Sequence, residues 1–77
     1  MGLKYPVLKP QEIIGVLESF GFVYKSQKGS HTKYVKIEKG MPTKTVIIPM
    51  HDEVARGTLK SILEQAGLTL EEFMGKL

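Results

Sequence analysis

The chain of 77 residues is 42% hydrophobic and 25% charged, with a formal net charge of +3. This length predicts a single domain over residues 1–77 that buries only about 60% of its unfolded surface, which argues against a deep, walled active site. The absence of cysteine excludes a disulfide framework and a thiolate zinc site. No apolar run approaches the ~20 residues that cross a bilayer, so we expect a cytoplasmic protein without membrane association.

The first predicted element is a helix from Pro10 to Phe20. Pro10 suits the first helical position, and Gly21 is placed to end the helix. Apolar residues recur at helical spacing along this segment: Ile13, Val16, Leu17 and Phe20.

Three β-strands are predicted to follow this helix. The segments "FVYKSQ", "HTKYVKI" and "KTVIIPM" are rich in β-branched and aromatic residues and are separated by the turn sequences "KGS" and "EKGMPT". Pro49 cannot donate a hydrogen bond to a neighbouring strand, so it should mark the end of the third strand or an edge of the sheet.

The second strand mixes apolar and charged residues on both of its faces. If Tyr34 packs against the helices, alternation directs His31 and Lys33 to the opposite face. A bulge later in this strand would then return Val35 or Ile37 to the core.

The last third of the chain is again helical. The segment "GTLKSILEQAG" has an apolar stripe and ends at Gly67, and a short second helix follows in which Thr69 and Glu72 have the spacing of a capping box. The element order predicts an α+β fold, α-β-β-β-α(-α), with a three-stranded antiparallel sheet. The helices should cover one face of this sheet and leave the other open.

Lysines are concentrated in the middle third of the chain. Between Gly21 and Met50 the only acid is Glu38, opposite six lysines: Lys25, Lys28, Lys33, Lys36, Lys39 and Lys44. With Tyr24 and Tyr34 interleaved, this pattern is typical of a surface that binds nucleic acid, and we expect the lysines to crowd the open face. A solvated sheet face is the alternative interpretation.

Four motifs occur in order over nearly the whole chain: Gly-Phe after the first helix, "KGSH" at 28–31, "VIIPMH" at 46–51 and "GTLKSILEQAG" at 57–67. Together they resemble the HicA toxin family of toxin-antitoxin systems. The resemblance implies a double-stranded-RNA-binding-like fold and the activity of an mRNA interferase, an endoribonuclease that cleaves mRNA. It also implies a HicB-like antitoxin as protein partner.

Cleaving RNA without a metal requires a group that moves protons and a group that stabilises negative charge on the phosphate. Histidine suits the first role, because its unperturbed pKa of about 6.5 populates both protonation states near neutrality. The resemblance assigns this catalytic role to His31. Lys28 and Lys33 are expected to bind the phosphate, with Lys25 and Lys44 extending the RNA-binding track. We expect no metal ion and no small-molecule cofactor.

Three further residues have predicted roles around His31. Gly29 and Ser30 should form the turn that positions it. His51 is a candidate second proton-transfer group, and its other interpretation is a hydrogen bond within the loop after the third strand. Asp52 and Glu53 follow His51 directly, but the side chains of adjacent residues diverge, so they are not expected to form a metal site. The sequence does not identify the general acid.

Two other functions fit the same element order. The first is a non-enzymatic RNA-binding module, which grips RNA by shape and phosphate contacts and has no need of His31. Such a domain has basic residues at the start of its last helix, where this chain offers only Arg56 and Lys60. The second is a small interaction domain, whose exposed patch would be apolar rather than rich in lysine.

Overall fold

The computed structural model describes residues 4–77 of the chain. Its elements, in chain order, are α1 Pro10–Ser19, β1 Val23–Lys28, β2 His31–Lys36, β3 Lys44–Pro49, α2 Arg56–Ala66 and α3 Leu70–Met74. The strands form one antiparallel sheet in the order β1-β2-β3, which confirms the predicted α+β fold. None of the helices within residues 4–77 is long and apolar enough to span a membrane.

The helices cover one face of the sheet, as predicted. A single hydrophobic cluster joins α1, the sheet, α2 and α3, and its members include Ile13, Leu17, Tyr34, Val46, Ile48, Leu59, Ile62, Leu63 and Phe73. Alternation within β2 places Thr32 and Tyr34 on this covered face, where both are buried, and leaves His31 and Lys33 exposed on the other. The second face is therefore open at the end where β2 begins.

β1 contains a bulge that the sequence did not predict. Tyr24 pairs with Tyr34, and the next paired residue of β1 is Ser26, opposite Lys33, so Lys25 is the extra residue. This insertion resets the alternation along β1. Tyr24 consequently shares the helix-covered face with Tyr34, whereas Ser26 and Lys28 share the open face with Lys33 and His31.

The predicted bulge in β2 is wrong, because β2 pairs with β3 without interruption. Val35 stays on the open face. It is nevertheless only 7% exposed and lies outside the core cluster, since it is flanked by its pairing partners Val23 and Thr45. Ile37 follows the end of β2 and is 76% exposed.

The segment before α1 is tied to the start of α2. The N–H of Val54 donates to the carbonyl of Leu8 at 2.7 Å, and Leu8 is buried in the core. The Nε of Arg56 donates to the carbonyl of Tyr5 at 2.8 Å. Arg56, one of the two basic residues at the start of this helix, therefore has a structural hydrogen bond.

The capping box predicted for α3 is present. The Thr69 hydroxyl accepts from the N–H of Glu72 at 3.1 Å, and the Glu72 carboxylate accepts from the N–H of Thr69 at 2.9 Å. The hydrogen bond from the Thr69 N–H to the carboxylate, then the Thr69 side chain, followed by the positive charge of Lys44, lower the pKa of Glu72. The helix they begin places Phe73 in the core, where it is fully buried.

We expect the cap to make stability depend on pH in the acid range. A carboxyl whose pKa is lowered by folding contributes stability above its unfolded pKa of about 4.3, and this contribution is lost as the pH falls through the lower folded value. Glu72→Gln lacks the charge, so its deficit in unfolding free energy relative to the unmodified protein should shrink below about pH 4.3 and stay constant above pH 5. Urea denaturation followed by circular dichroism at pH 3 to 7 measures the unfolding free energy of the two proteins. A deficit that does not vary with pH would contradict the prediction.

Candidate functional site

The site begins at the tight turn between β1 and β2. Lys28 pairs with His31 across a two-residue loop, in which Gly29 has a φ of +59°. This is the left-handed region that glycine adopts without strain, and a first glycine with positive φ is the pattern of a type II′ hairpin turn. The side chain of Gln27 donates to the carbonyl of Gly29 at 3.2 Å, which braces the turn.

A second hydrogen bond holds this turn against the loop that follows β3. The N–H of Met50 donates to the carbonyl of Ser30 at 2.6 Å. Because Ser30 precedes His31 and Met50 precedes His51, the bond brings the two histidine-bearing segments together. Both histidines are exposed, and both line the same groove.

His31 lies between two neighbouring grooves at this end of the sheet. The first, which we name the lysine groove, is lined by Ser26, Lys28, His31, Lys33 and Ile47. The bulge in β1 allows this arrangement, because it turns Lys28 to the face that carries His31 and Lys33. The structure therefore brings together a histidine and two ammonium groups on one exposed surface.

The second groove, which we name the β3–α2 groove, lies on the other side of His31. It is lined by His31, Ile47, Pro49, His51, Glu53, Val54, Ala55, Thr58 and Gln65. Thr58 and Gln65 were not expected at the site. Both belong to α2, and no local pattern in that helix indicates that it reaches across to β2.

Side chains of β2 and β3 are closely paired along both grooves. His31 is opposite Pro49, and Lys33 is opposite Ile47. The N–H of Ile47 is turned away from β2 and donates to Oε1 of Gln65 at 3.0 Å. The two residue pairs are therefore pairs without hydrogen bonds between the strands, in which the side chains approach most closely. Pro49, at the end of the edge strand as predicted, lacks an N–H at a position where β2 needs none.

The other lysines do not join this surface, which corrects the expectation that they crowd the open face. Lys36 and Lys44 pair with one another on the helix-covered side, where Lys36 lies over the ring of Phe22 and forms an ion pair with Glu38 at 3.6 Å. Lys44 lies close to Gly67 of the α2 terminus. Successive side chains of a strand point to opposite faces, and Lys36 is three residues after Lys33, so the two lysines lie on opposite faces of the sheet.

Lys25, also expected on the RNA-binding track, is the bulged residue of β1 and does not line either groove. The two tyrosines are not on the open face either. Tyr34 is 7% exposed and makes an edge-to-face contact with Tyr24, with ring centroids 6.0 Å apart. Burial, followed by the charge of Glu18 and by Tyr24, raises the pKa of Tyr34. Tyr34 is part of the core and is not available to stack on bases.

The imidazoles of His31 and His51 make no hydrogen bond to any other residue within 4–77. The ring nitrogens of His31 are therefore not committed to a protein partner, and the expected loop hydrogen bond of His51 is not present. Within the same residues no three His, Cys, Asp or Glu side chains are grouped as a metal site.

Comparison with protein families gives a match. The model of a family described as the HicA toxin of bacterial toxin-antitoxin systems matches residues 10–68, which include both grooves, α1, the sheet and α2. A search of curated proteins finds no match. With more than half of its length matched, the chain belongs to the HicA toxin family.

Proposed function

We propose that this toxin is a metal-independent endoribonuclease that cleaves mRNA in the cytoplasm. The observation that carries the proposal is the lysine groove, in which His31 is exposed beside Lys28 and Lys33 on a braced hairpin. The groove supplies a group that transfers protons and two groups that bind phosphate. Lys28, His31 and Lys33 are all exposed, so a polymer substrate can reach them.

In the proposed reaction the ribose 2′-oxygen attacks the adjacent phosphorus and the bond from phosphorus to the 5′-oxygen breaks. The products are a 2′,3′-cyclic phosphate and a free 5′-hydroxyl. His31 accepts the proton of the 2′-hydroxyl or donates one to the leaving 5′-oxygen. Lys28 and Lys33 bind the non-bridging oxygens and stabilise the charge that develops on them. His51 lines the β3–α2 groove with His31 but does not line the lysine groove, so it takes the complementary proton transfer only where the reacting oxygen extends past His31 towards it.

The proposed protein partner is a HicB-like antitoxin. Members of a toxin-antitoxin family require neutralisation, and the open face carries the groups that the proposed reaction uses. An antitoxin that covers His31 with an acidic surface would be attracted by Lys28 and Lys33. The toxin should then bind either the antitoxin or RNA, but not both at once.

The test is incubation of the purified protein with a long RNA in excess chelator. We expect fragments that end in 2′,3′-cyclic phosphate and begin with a 5′-hydroxyl, detected by end-group analysis. Salt-dependent binding without cleavage would instead support the non-enzymatic RNA-binding module. That module would use basic residues at the start of α2, where the chain has Arg56 and Lys60. Arg56 already donates a hydrogen bond to the carbonyl of Tyr5, which argues against that module.

A further inference from the structure

The side chain of Gln65 occupies the free edge of the sheet next to His31. β3 is an edge strand, and the outward N–H of Ile47 would normally face solvent or a further strand. Gln65 reaches it from α2, 18 residues away, and accepts its hydrogen bond at 3.0 Å. One end of this amide is therefore anchored to the backbone of β3.

The anchoring determines which way the amide points. Only the oxygen of a glutamine side chain can accept from a backbone N–H, so the NH₂ group is turned away from Ile47. Gln65 is exposed and lines the β3–α2 groove together with His31. Its Nε2 donates to no residue within 4–77. The groove thus has an oriented pair of hydrogen-bond donors with no protein acceptor.

The two grooves beside His31 differ in chemistry. The lysine groove has two ammonium groups. Among the described residues that line the β3–α2 groove there is no lysine or arginine and there is one acid, Glu53; apolar side chains such as Ile47 and Pro49 form much of its wall. A phosphate would be repelled by Glu53 and, apart from the two histidines, would find no permanent cation of the kind that the lysine groove offers. A flat, apolar group that carries hydrogen-bond acceptors fits better.

We infer that the β3–α2 groove is a nucleobase subsite, in which the NH₂ group of Gln65 donates to an acceptor on the edge of the base next to the scissile phosphate. This inference rests on the proposed function, because it places the phosphate in the lysine groove and the base across His31 from it. The amide presents donors only. A base with an exocyclic carbonyl oxygen, such as uracil, therefore fits better than adenine, whose acceptor N7 lies beside an exocyclic amino group that is itself a donor. Gln65 gives the toxin a base preference.

The test compares the unmodified protein with Gln65→Met, which loses both ends of the amide, and Gln65→Glu, which keeps an oxygen for Ile47 but loses the donors. Ser61→Glu adds the same charge one turn earlier on α2, outside both grooves, and controls for repulsion of RNA. Each protein cleaves a random-sequence RNA pool, and the fragment ends are sequenced. We expect both Gln65 variants to lose the base preference next to the cut, with kcat/KM on the preferred sequence lowered about tenfold. Ser61→Glu should keep the preference.

A structural role for Gln65 predicts a different pattern. Gln65→Glu would then keep the base preference together with slow amide hydrogen exchange at Ile47, and Gln65→Met would cleave all sequences more slowly by the same factor. A contact with phosphate would also lower cleavage equally for every sequence. Either pattern would overturn the inference.

Binding separates this inference from the proposed function. Fluorescence anisotropy of labelled oligo(U) and oligo(A) with His31→Ala protein reads the base preference without cleavage. If the unmodified protein fails to cleave but Gln65→Met removes the difference in Kd, the subsite stands and the endoribonuclease proposal falls. If the unmodified protein cleaves and the Gln65 variants keep the base preference in cleavage and in binding, the subsite falls and the endoribonuclease proposal stands.

Discussion

Replacing His31 by alanine is expected to lower the rate of RNA cleavage by about 10²- to 10⁴-fold, the usual contribution of a positioned general acid or base. The side chain is exposed and makes no hydrogen bond within residues 4–77, so its removal should not unfold the protein. Lys28 and Lys33 remain in place, and RNA binding should therefore persist. The rate is measured on a labelled RNA in excess chelator, and folding by circular dichroism.

Two companion variants make the His31 result specific. His31→Gln retains hydrogen-bonding groups but does not titrate near neutrality, so it should be as inactive as His31→Ala if the histidine transfers protons. His51→Ala examines the other histidine of the β3–α2 groove. Loss of activity in His31→Ala and also in His51→Ala would support a pair of histidines that shares the two proton transfers. Full activity in His31→Ala would move the chemistry away from the hairpin and refute the proposed mechanism.

The elements of the fold were predictable because their signals are local. Pro10 begins α1, Gly67 ends α2 in the left-handed conformation, and Thr69 with Glu72 caps α3. Each of these depends on residues within one or two turns of one another, so the amino-acid order alone contains the information. The same holds for the two-residue turn with Gly29 at its first central position.

The candidate site was only partly predictable because it is assembled from distant segments. His31, Lys28 and Lys33 are close in sequence, and strand alternation relates two of them directly. Gln65 is brought to the site only when α2 packs beside β3, which no local pattern indicates.

The bulge at Lys25 shows why the face on which a lysine of β1 lies cannot be read from the sequence of that strand alone. A bulge depends on the pairing between two strands, and no feature within β1 alone specifies it. Counting residues along an unbroken β1 gives the wrong face for one part of the strand. The observed face of Lys28 follows from the bulge, whereas Lys36 and Lys44 follow regular alternation to the opposite side.

This division of the lysines leads to a second prediction, about RNA affinity. The double variant Lys28→Gln with Lys33→Gln should bind RNA roughly 10- to 100-fold more weakly, because it loses two charged contacts with phosphate. Each phosphate contact with single-stranded RNA contributes about 0.7 to the dependence of log K on log salt concentration, so the slope should decrease by about 1.4. Fluorescence anisotropy titrations from low to moderate salt measure affinity and slope together.

The matched control is the double variant Lys36→Gln with Lys44→Gln, which removes the same two charges from the helix-covered side of the sheet. Its affinity should stay close to that of the unmodified protein once folding is verified, since Lys36 contacts Phe22 and Glu38. Equal losses in the two double variants would mean that net charge attracts RNA without a defined track, and would refute the lysine groove as the binding surface. A loss confined to Lys28 and Lys33 would place the RNA backbone beside His31, where the proposed proton transfer requires it.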